Sequence, residues 1–158
     1  MNHIFTPVSG QFTDFKGEVA FDPDNLDQSK FNFIVTVNSV DTNNSKRDNH
    51  LRSKDFFDSD TFPVMAFNSS KITRITDNRY VLQGQLTIED VTKTMDLEFS
   101  YFPSKPHPIM ENNLVSGFYT QFDIFRLDFH VGNGKFLKMG VVGETANVEI
   151  SMEATRKQ

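Results

Sequence analysis

With 158 residues and a formal net charge of −5, the chain is long enough for one domain with its own core and too acidic for a dedicated nucleic-acid binder. It has no cysteine, which excludes disulfides, thiolate metal ligands and cysteine nucleophiles. It has 17 Phe, three Tyr and no Trp, so either the core is rich in Phe or Phe side chains line a cavity for a long apolar ligand.

The start of the chain predicts no export signal. Residues 1–7 lack the basic and apolar regions of a signal peptide, and no run of about twenty apolar residues predicts a membrane span. We therefore expect a cytoplasmic protein, or a periplasmic protein from which a presequence has been removed.

Alternating apolar residues predict about eight strands and no long amphipathic helix. A short first strand is predicted over residues 2–6. The second covers residues 10–21, with a bulge near residues 13–14 because Phe12 is out of phase with the rest of its row. The later strands are predicted over residues 31–37, 64–72, 80–88, 95–101, 118–124 and 146–152.

Two connections interrupt this pattern. The charged connection within residues 39–67 has about twenty residues, far more than a hairpin needs, so we expect it to be structured. Arg47 and Asp48 are predicted to fix its course through charge-assisted hydrogen bonds. The second connection, residues 126–138, contains two glycines and is predicted to hold a short helix. The apolar anchors of the first connection are expected to be Leu51, Phe56, Phe57 and Phe62.

Strict alternation gives each strand one wet face and one dry face, which leaves a sandwich or a closed barrel. Closure removes edge strands, and an eight-stranded barrel has room for its own side chains or for one slender ligand. Gly84 lies inside an apolar row. It either leaves space for such a ligand or marks a bulge or a close backbone contact.

No pattern of catalytic or metal-binding residues stands out. The four His occupy positions 3, 50, 107 and 130, without the spacing of metal ligands, so no metal site and no catalytic residue are predicted. A small basic patch is formed by Lys46, Arg47, Arg52 and Lys54. It is either a solvated surface or a contact for a lipid headgroup at the mouth of a tunnel.

Several segments match a known family in order along nearly the whole chain. They are residues 10–12 with 15–17, 39–42, 47–51, 55–58, 62–67, 84–88 with 91–93, and 124–129. In these segments the chain resembles the YceI-like family of polyisoprenoid-binding, lipocalin-like barrel proteins. The resemblance implies an antiparallel eight-stranded barrel whose apolar tunnel holds an amphiphilic isoprenoid chain, such as a quinone tail or a polyprenyl lipid. Members are mostly bacterial, are often periplasmic and often form dimers.

The chain departs from the family pattern at three places. It begins partway through the first strand, near His3, so a truncated first strand is expected. Asp90 and His130 stand where the family often has Gly; Asp90 is expected to tolerate a left-handed turn, and the corner at His130 is expected to differ.

We therefore predict one domain over residues 1–158, an all-β eight-stranded antiparallel lipocalin-like barrel with one or two short helices in the connections. Its predicted function is non-enzymatic binding, storage or transport of a long isoprenoid or similar amphiphilic lipid, such as a quinone or polyprenyl chain. No other cofactor, no nucleic-acid partner and no membrane span are predicted, and a homodimer is expected from the resemblance. The side chains predicted to line the tunnel are Phe33, Val35, Val37, Phe67, Leu82, Leu86, Leu97, Phe99, Phe118, Phe122, Ile124, Phe129 and Phe136.

Two alternatives stay open at this point. The first is an enzyme that uses the same cavity, with His50, His130 or Asp128 as acid–base groups. The second is a ligand-free structural or stress-related dimer, with a packed core and an apolar interface near the first strand.

Overall fold

The computed structural model describes residues 2, 3 and 6–157 and shows an antiparallel sheet curled into a nearly closed barrel. The all-β fold class is confirmed. The strands are β1 (Asn2–His3), β2 (Thr6–Pro7), β3 (Gln11–Phe12), β4 (Phe15–Ala20), β5 (Lys30–Thr36), β6 (Val40–Asp41), β7 (Val64–Thr76), β8 (Arg79–Ile88), β9 (Val91–Pro106), β10 (Asn113–Phe125) and β11 (Thr145–Lys157). The helices are α1 (Ser45–Arg52) and α2 (Gly134–Lys138), with 3₁₀-helices at Leu26–Gln28, Val37–Ser39 and Arg126–Phe129.

Seven strands form the barrel sheet, in the order β11-β10-β9-β8-β7-β5-β4. The number is seven rather than eight because the chain before β4 makes only two short pairings, β1 with β2 and β3 with β6. Within the described part of the chain, β4 and β11 are the edges of the sheet and do not pair with each other. The barrel wall therefore has a slit between these two strands.

The predicted strand over residues 10–21 is broken where a bulge was expected. β3 ends at Phe12 and β4 begins at Phe15. The Thr13 amide donates to the Ser39 carbonyl at 3.1 Å, and the Asp14 carbonyl accepts from the Thr36 amide at 2.9 Å. Of the predicted strand 2–6, β1 covers two residues, and residues 4 and 5 lie outside the described part.

An aromatic cluster, the plug, closes the end of the barrel at which β4 leads into β5. Phe21 stands at its centre, half-buried in that connection, with five rings at centroid distances between 4.8 and 5.9 Å. Most of these ring pairs are edge-on, the arrangement that the ring quadrupoles favour. The five rings belong to Phe31, Tyr80, Phe99, Tyr101 and Phe118.

A second apolar cluster, the cap, lies at the opposite end of the barrel. Its buried residues are Phe56, Ile88, Phe129, Val131 and Val142. They come from the long charged connection, the β8 end and the segment between β10 and β11. The two long connections therefore fold over this end of the barrel instead of extending into solvent.

The charged connection is held as its sequence predicts. Asp48 is buried and accepts from the Thr42 amide at 2.9 Å and from the Thr42 hydroxyl at 2.5 Å. Arg47 donates from Nε to Oγ1 of Thr42 and from Nη2 to its carbonyl, both at 2.7 Å. Phe56 is buried in the cap, with Leu51 and Phe57 packed against it, whereas Phe62 is half-buried and belongs to neither cluster. The predicted roles of Arg47 and Asp48 are confirmed.

The second connection contains the predicted short helix, α2, after a 3₁₀-turn. His130 ends that turn in the left-handed conformation, with φ of 62°. At the β8–β9 turn the left-handed residue is Glu89, with φ of 52°, and not Asp90. The expectation for Asp90 is therefore wrong by one position, because the hairpin places its positive φ on the first residue of the turn.

Candidate functional site

Between the plug and the cap the barrel encloses a cavity of about 1130 Å³. Sites for drug-sized ligands usually have roughly 300–1,000 Å³. The inward rings meet at the plug, where the ring centroids of Phe31 on β5 and Phe118 on β10 lie 5.5 Å apart, and the space beyond the plug stays unfilled. A ligand-free barrel with a packed core, one of the alternatives from the sequence, does not fit this interior.

Eleven of the thirteen residues predicted to line the tunnel line this cavity. Their period of two places them on the inner face of the sheet, except for Phe136, which belongs to α2. That they bind a ligand stays a prediction. The eleven are Phe33, Val35, Phe67, Leu82, Leu86, Leu97, Phe99, Phe118, Phe122, Ile124 and Phe136.

Val37 and Phe129 are the two that do not line it. Val37 continues the alternation of β5 but lies in the 3₁₀-helix after it, with its amide bonded to the Pro63 carbonyl at 2.9 Å. Phe129 is 2% exposed within the cap, and the Lys93 ammonium lies 5.5 Å from its ring centroid. Both are packed behind the cavity wall because the chain leaves the strand before it reaches them.

The cavity wall also contains residues outside the thirteen predicted ones. Val148, Ile150 and Met152 of β11 line it, and their alternation was visible in the sequence. Phe12 and Phe15 line it from the N-terminal side. Nothing in the local sequence shows that this side approaches the edge of β11, because that approach depends on how the sheet curls.

Gly84 does not leave space for a ligand. A Cβ atom built there would lie 2.8 Å from Cε2 of Phe67 and 2.7 Å from the Asn68 carbonyl oxygen. The ring of Phe67 fills the position, and the β7–β8 register shifts after Ser69, the partner of Gly84. The close contact and the bulge explain this glycine, and the idea that it makes room for a ligand is wrong.

Exposed lining residues mark where the cavity meets solvent. They include Phe15, which is 65% exposed, together with Lys46 and His50 of α1 and Asn147 and Glu149 of β11. The opening therefore lies along the slit, beside α1. Of the basic patch, Lys46 and Arg47 line the cavity, whereas Arg52 donates to the Asn38 and Val40 carbonyls at 2.9 and 2.7 Å.

One buried charge lies in the cavity wall. Arg126 is 4% exposed and follows directly on β10. Its Nε donates to the Gly143 carbonyl at 2.8 Å and its Nη1 to the Val131 carbonyl at 2.9 Å. Burial lowers the pKa of its guanidinium from the ordinary value, and the charge of Glu144 opposes that shift. No role for Arg126 was predicted from the sequence.

The acid–base groups of the enzyme alternative do not come together. His50 lines the cavity and pairs with Asp55 at 3.2 Å. His130 pairs with Asp90 at 2.8 Å, and Asp128 accepts from Lys93 at 2.7 Å; neither His130 nor Asp128 lines the cavity. Among the described residues there is no group of three or more His, Asp or Glu that could hold a metal ion.

A further titratable group lies at the β8–β9 turn. Burial raises the pKa of the Glu89 carboxyl to about 7; Asp90 and Asp58 add to the shift and His130 opposes it. One carboxyl oxygen of Glu89 is buried without a hydrogen-bond partner in the described part of the chain. Glu89 does not line the cavity, so we expect its protonation to change the stability of the fold and not the binding of a ligand.

No helix in the described ranges combines the length and the apolar character needed to cross a bilayer.

Sequence comparison relates the chain to bacterial proteins. The YceI-like domain matches residues 1–154. A UPF0312 protein of Photorhabdus laumondii is 32% identical over 149 residues, 94% of this chain and 74% of that protein. A UPF0312 protein of Yersinia enterocolitica is 42% identical over 89 residues, 56% of this chain and 46% of that protein. The match therefore spans less than half of the Yersinia relative.

Solved structures share the fold. A YCEI protein of Campylobacter jejuni superimposes with a TM-score of 0.85 at 27% identity, covering 100% of this chain and 91% of that one. BcnA of Burkholderia cenocepacia gives a TM-score of 0.85 at 26% identity, covering 94% and 89%. A polyisoprenoid binding domain from Saccharophagus degradans gives 0.64 at 11% identity, covering 94% and 85%, a likeness of fold.

Proposed function

The chain belongs to the YceI-like domain family, and from this premise we propose that it binds a long isoprenoid or similar amphiphilic lipid in the barrel cavity and stores or transports it without chemical change. A quinone tail and a polyprenyl chain are the candidate ligands. The fold likeness to a domain described as polyisoprenoid binding agrees with this choice, although that likeness concerns the fold alone.

The observation that carries the proposal is the apolar cavity of about 1130 Å³ between the plug and the cap. Burial of one methylene group contributes roughly 0.8 kcal/mol, so a long chain gains much from entering such a space. Ordering the flexible chain on binding cancels a large part of this gain. Measured affinities therefore stay far below the sum of the burial free energies of all methylene groups. Such a cavity selects ligands by the length and shape of the chain and needs few polar contacts.

The placement of the titratable groups supports binding over catalysis. General acid–base chemistry needs groups within hydrogen-bond reach of one reacting atom. His50 is the member of the candidate set that lines the cavity, and its partner Asp55 is exposed. We therefore assign no reaction to the cavity.

Extraction of the purified protein with organic solvent, followed by mass spectrometry, tests the proposal. We expect a long-chain amphiphile in the extract. We also expect the delipidated protein to bind the same compound again when it is added. Two tryptophan variants on β5 sharpen the test. Val35→Trp places an indole inside the cavity, whereas Ile34→Trp adds the same group on the outer face, where Ile34 is 51% exposed.

We expect Val35→Trp to lower the amount of bound lipid at least about tenfold and Ile34→Trp to leave it unchanged, since only the first removes volume that the ligand needs. Circular dichroism checks that both variants fold. Equal lipid content in the two variants, or no lipid in the wild-type extract and none taken up, would rule the proposal out.

The homodimer that the family resemblance implies stays a prediction. Light scattering coupled to size exclusion measures the mass in solution against the 18.1 kDa of one chain. We expect about twice that mass, and a mass of one chain at all concentrations would contradict it.

A further inference from the structure

Arg126 combines burial with an unused hydrogen-bond donor. Two of its guanidinium nitrogens donate to the carbonyls of Gly143 and Val131. The third, Nη2, is buried and has no hydrogen-bond partner in the part of the chain that the structure describes. Arg126 is one of the residues that line the cavity.

A buried donor without a partner is unfavourable, and more so when it belongs to a charged group. Here the group is also held firmly in place. Gly132 has φ of +75°, and a Cβ atom at that position would come within 2.8 Å of Nη1 and 3.1 Å of the Phe56 ring. The guanidinium is therefore packed against the cap, with two of its nitrogens bonded to the backbone and the third buried without a partner among the described residues.

The rest of the cavity shows where a ligand's two ends fit. At the plug the lining is aromatic, with Phe31, Phe99 and Phe118. Arg126 lies at the cap, directly after the end of β10; from Phe118 to the last residue of that strand, Phe125, the chain rises about 23 Å at about 3.3 Å per residue. The apolar end of an amphiphile matches the plug, and an oxygen of its head matches the arginine.

On the basis of the proposed function, we infer that Arg126 is the head-group anchor of this cavity. Its Nη2 donates to a hydrogen-bond-accepting oxygen of the ligand, such as a carboxylate, a quinone carbonyl or a phosphate, while the tail extends toward the plug. A pure hydrocarbon chain would leave the donor unpaired, so the cavity discriminates between chains by the oxygen on their head as well as by their length.

A binding comparison with two probes tests this assignment. The probes are geranylgeranoic acid and the hydrocarbon in which a methyl group replaces its carboxyl. Their dissociation constants are measured on the wild type, on Arg126→Met, and on Lys46→Met as a control that removes a basic side chain from the opening of the cavity. The ratio of the two constants cancels the apolar contribution of the shared chain.

We expect the preference for the acid to fall about tenfold or more in Arg126→Met, because one charge-assisted hydrogen bond changes the affinity by about that factor. In Lys46→Met we expect the preference to fall less than about twofold. The reverse pattern would assign the head to the opening and overturn the inference while leaving the proposed function intact. Failure of both probes to bind the wild type would overturn both.

A crystallographic measurement on the wild type does not depend on the folding of any variant. The ligand is the same acid with a bromine atom on its last isoprene unit. We expect the anomalous bromine peak among Phe31, Phe99 and Phe118, with the carboxylate beside Arg126. A bromine peak beside Arg126 would mean that the tail points toward the cap, and would overturn the inference.

Discussion

The ring of Phe67 lies against Gly84, in the space that a side chain on any other residue would occupy. The two residues sit on neighbouring strands, β7 and β8, and both face the interior. The ring thus takes its place in the cavity wall because its neighbour has no side chain.

Gly84→Ala should lower the free energy of unfolding by about 1–3 kcal/mol, because the added methyl meets both the Phe67 ring and the Asn68 carbonyl. Urea denaturation measures the loss. Gly117→Ala is the matched control, since its methyl would meet Phe102, which is 57% exposed and free to shift. Equal losses in the two variants would contradict this account.

Asp48→Asn should destabilise the protein at neutral pH, because Asp48 fixes the charged connection. Hydrogen bonds from Thr42 hold the pKa of the Asp48 carboxyl below its ordinary value of 3.8, with Arg52 and Arg47 adding to the effect and burial opposing it. This stabilisation is present above the ordinary pKa and is lost as the pH falls through the lower folded value.

The difference between wild type and Asp48→Asn should therefore shrink as the pH falls from about 7 to about 3. Thermal unfolding across this range measures it. Asp60→Asn, an exposed carboxyl in the same connection, is the control and should change little at any pH. A difference for Asp48→Asn that is independent of pH would show that the altered hydrogen bonding, and not the charge, is responsible.

Glu89→Gln should stabilise the protein at alkaline pH. The raised pKa of Glu89, about 7 against 4.5, means that the folded state holds a proton which the unfolded state has lost. Wild-type stability is therefore lost as the pH rises through this window, and glutamine avoids the loss. We expect a gain of about 1–2 kcal/mol at about pH 8, after allowance for solvent screening.

The gain should be smaller at about pH 5, where Glu89 is protonated in the folded state. Urea denaturation at the two pH values measures both, with Glu153→Gln on the exposed face of β11 as control. An equal gain at both pH values would show that the titration of Glu89 does not contribute.

Phe21→Ala should lower the free energy of unfolding by about 3 kcal/mol, because it removes the ring that touches the five others of the plug. Phe125→Ala, at a ring that is 52% exposed, should cost less than about 1 kcal/mol. Thermal and urea unfolding give the comparison. A small loss at Phe21 would mean that the remaining rings close over the gap.

The strands were predictable because one buried face imposes a period of two on the sequence. The rows of β5, β8 and β10 therefore contain seven of the eleven predicted residues that line the cavity. Val37 was misplaced because alternation continues for one residue after β5 ends, where the chain turns to reach Pro63. Local patterns report the direction of side chains only as long as the strand lasts.

The polar part of the site was not predictable in the same way. The unused donor of Arg126 depends on which backbone carbonyls the cap brings to the other two nitrogens, and those belong to residues up to 17 positions away. The left-handed residue of the β8–β9 turn was also misplaced. We expected it at Asp90, where the family often has Gly, whereas the register of the hairpin puts it at Glu89. The surroundings of Arg126 arise from tertiary contacts between segments whose own sequences show no sign of them.

The slit between β4 and β11 has a kinetic consequence. Because these edges share no backbone hydrogen bond within the described residues, their separation breaks no sheet ladder. A chain can then enter sideways, along its whole length at once, instead of threading through one end. Exchange by that route depends on how often the edges part.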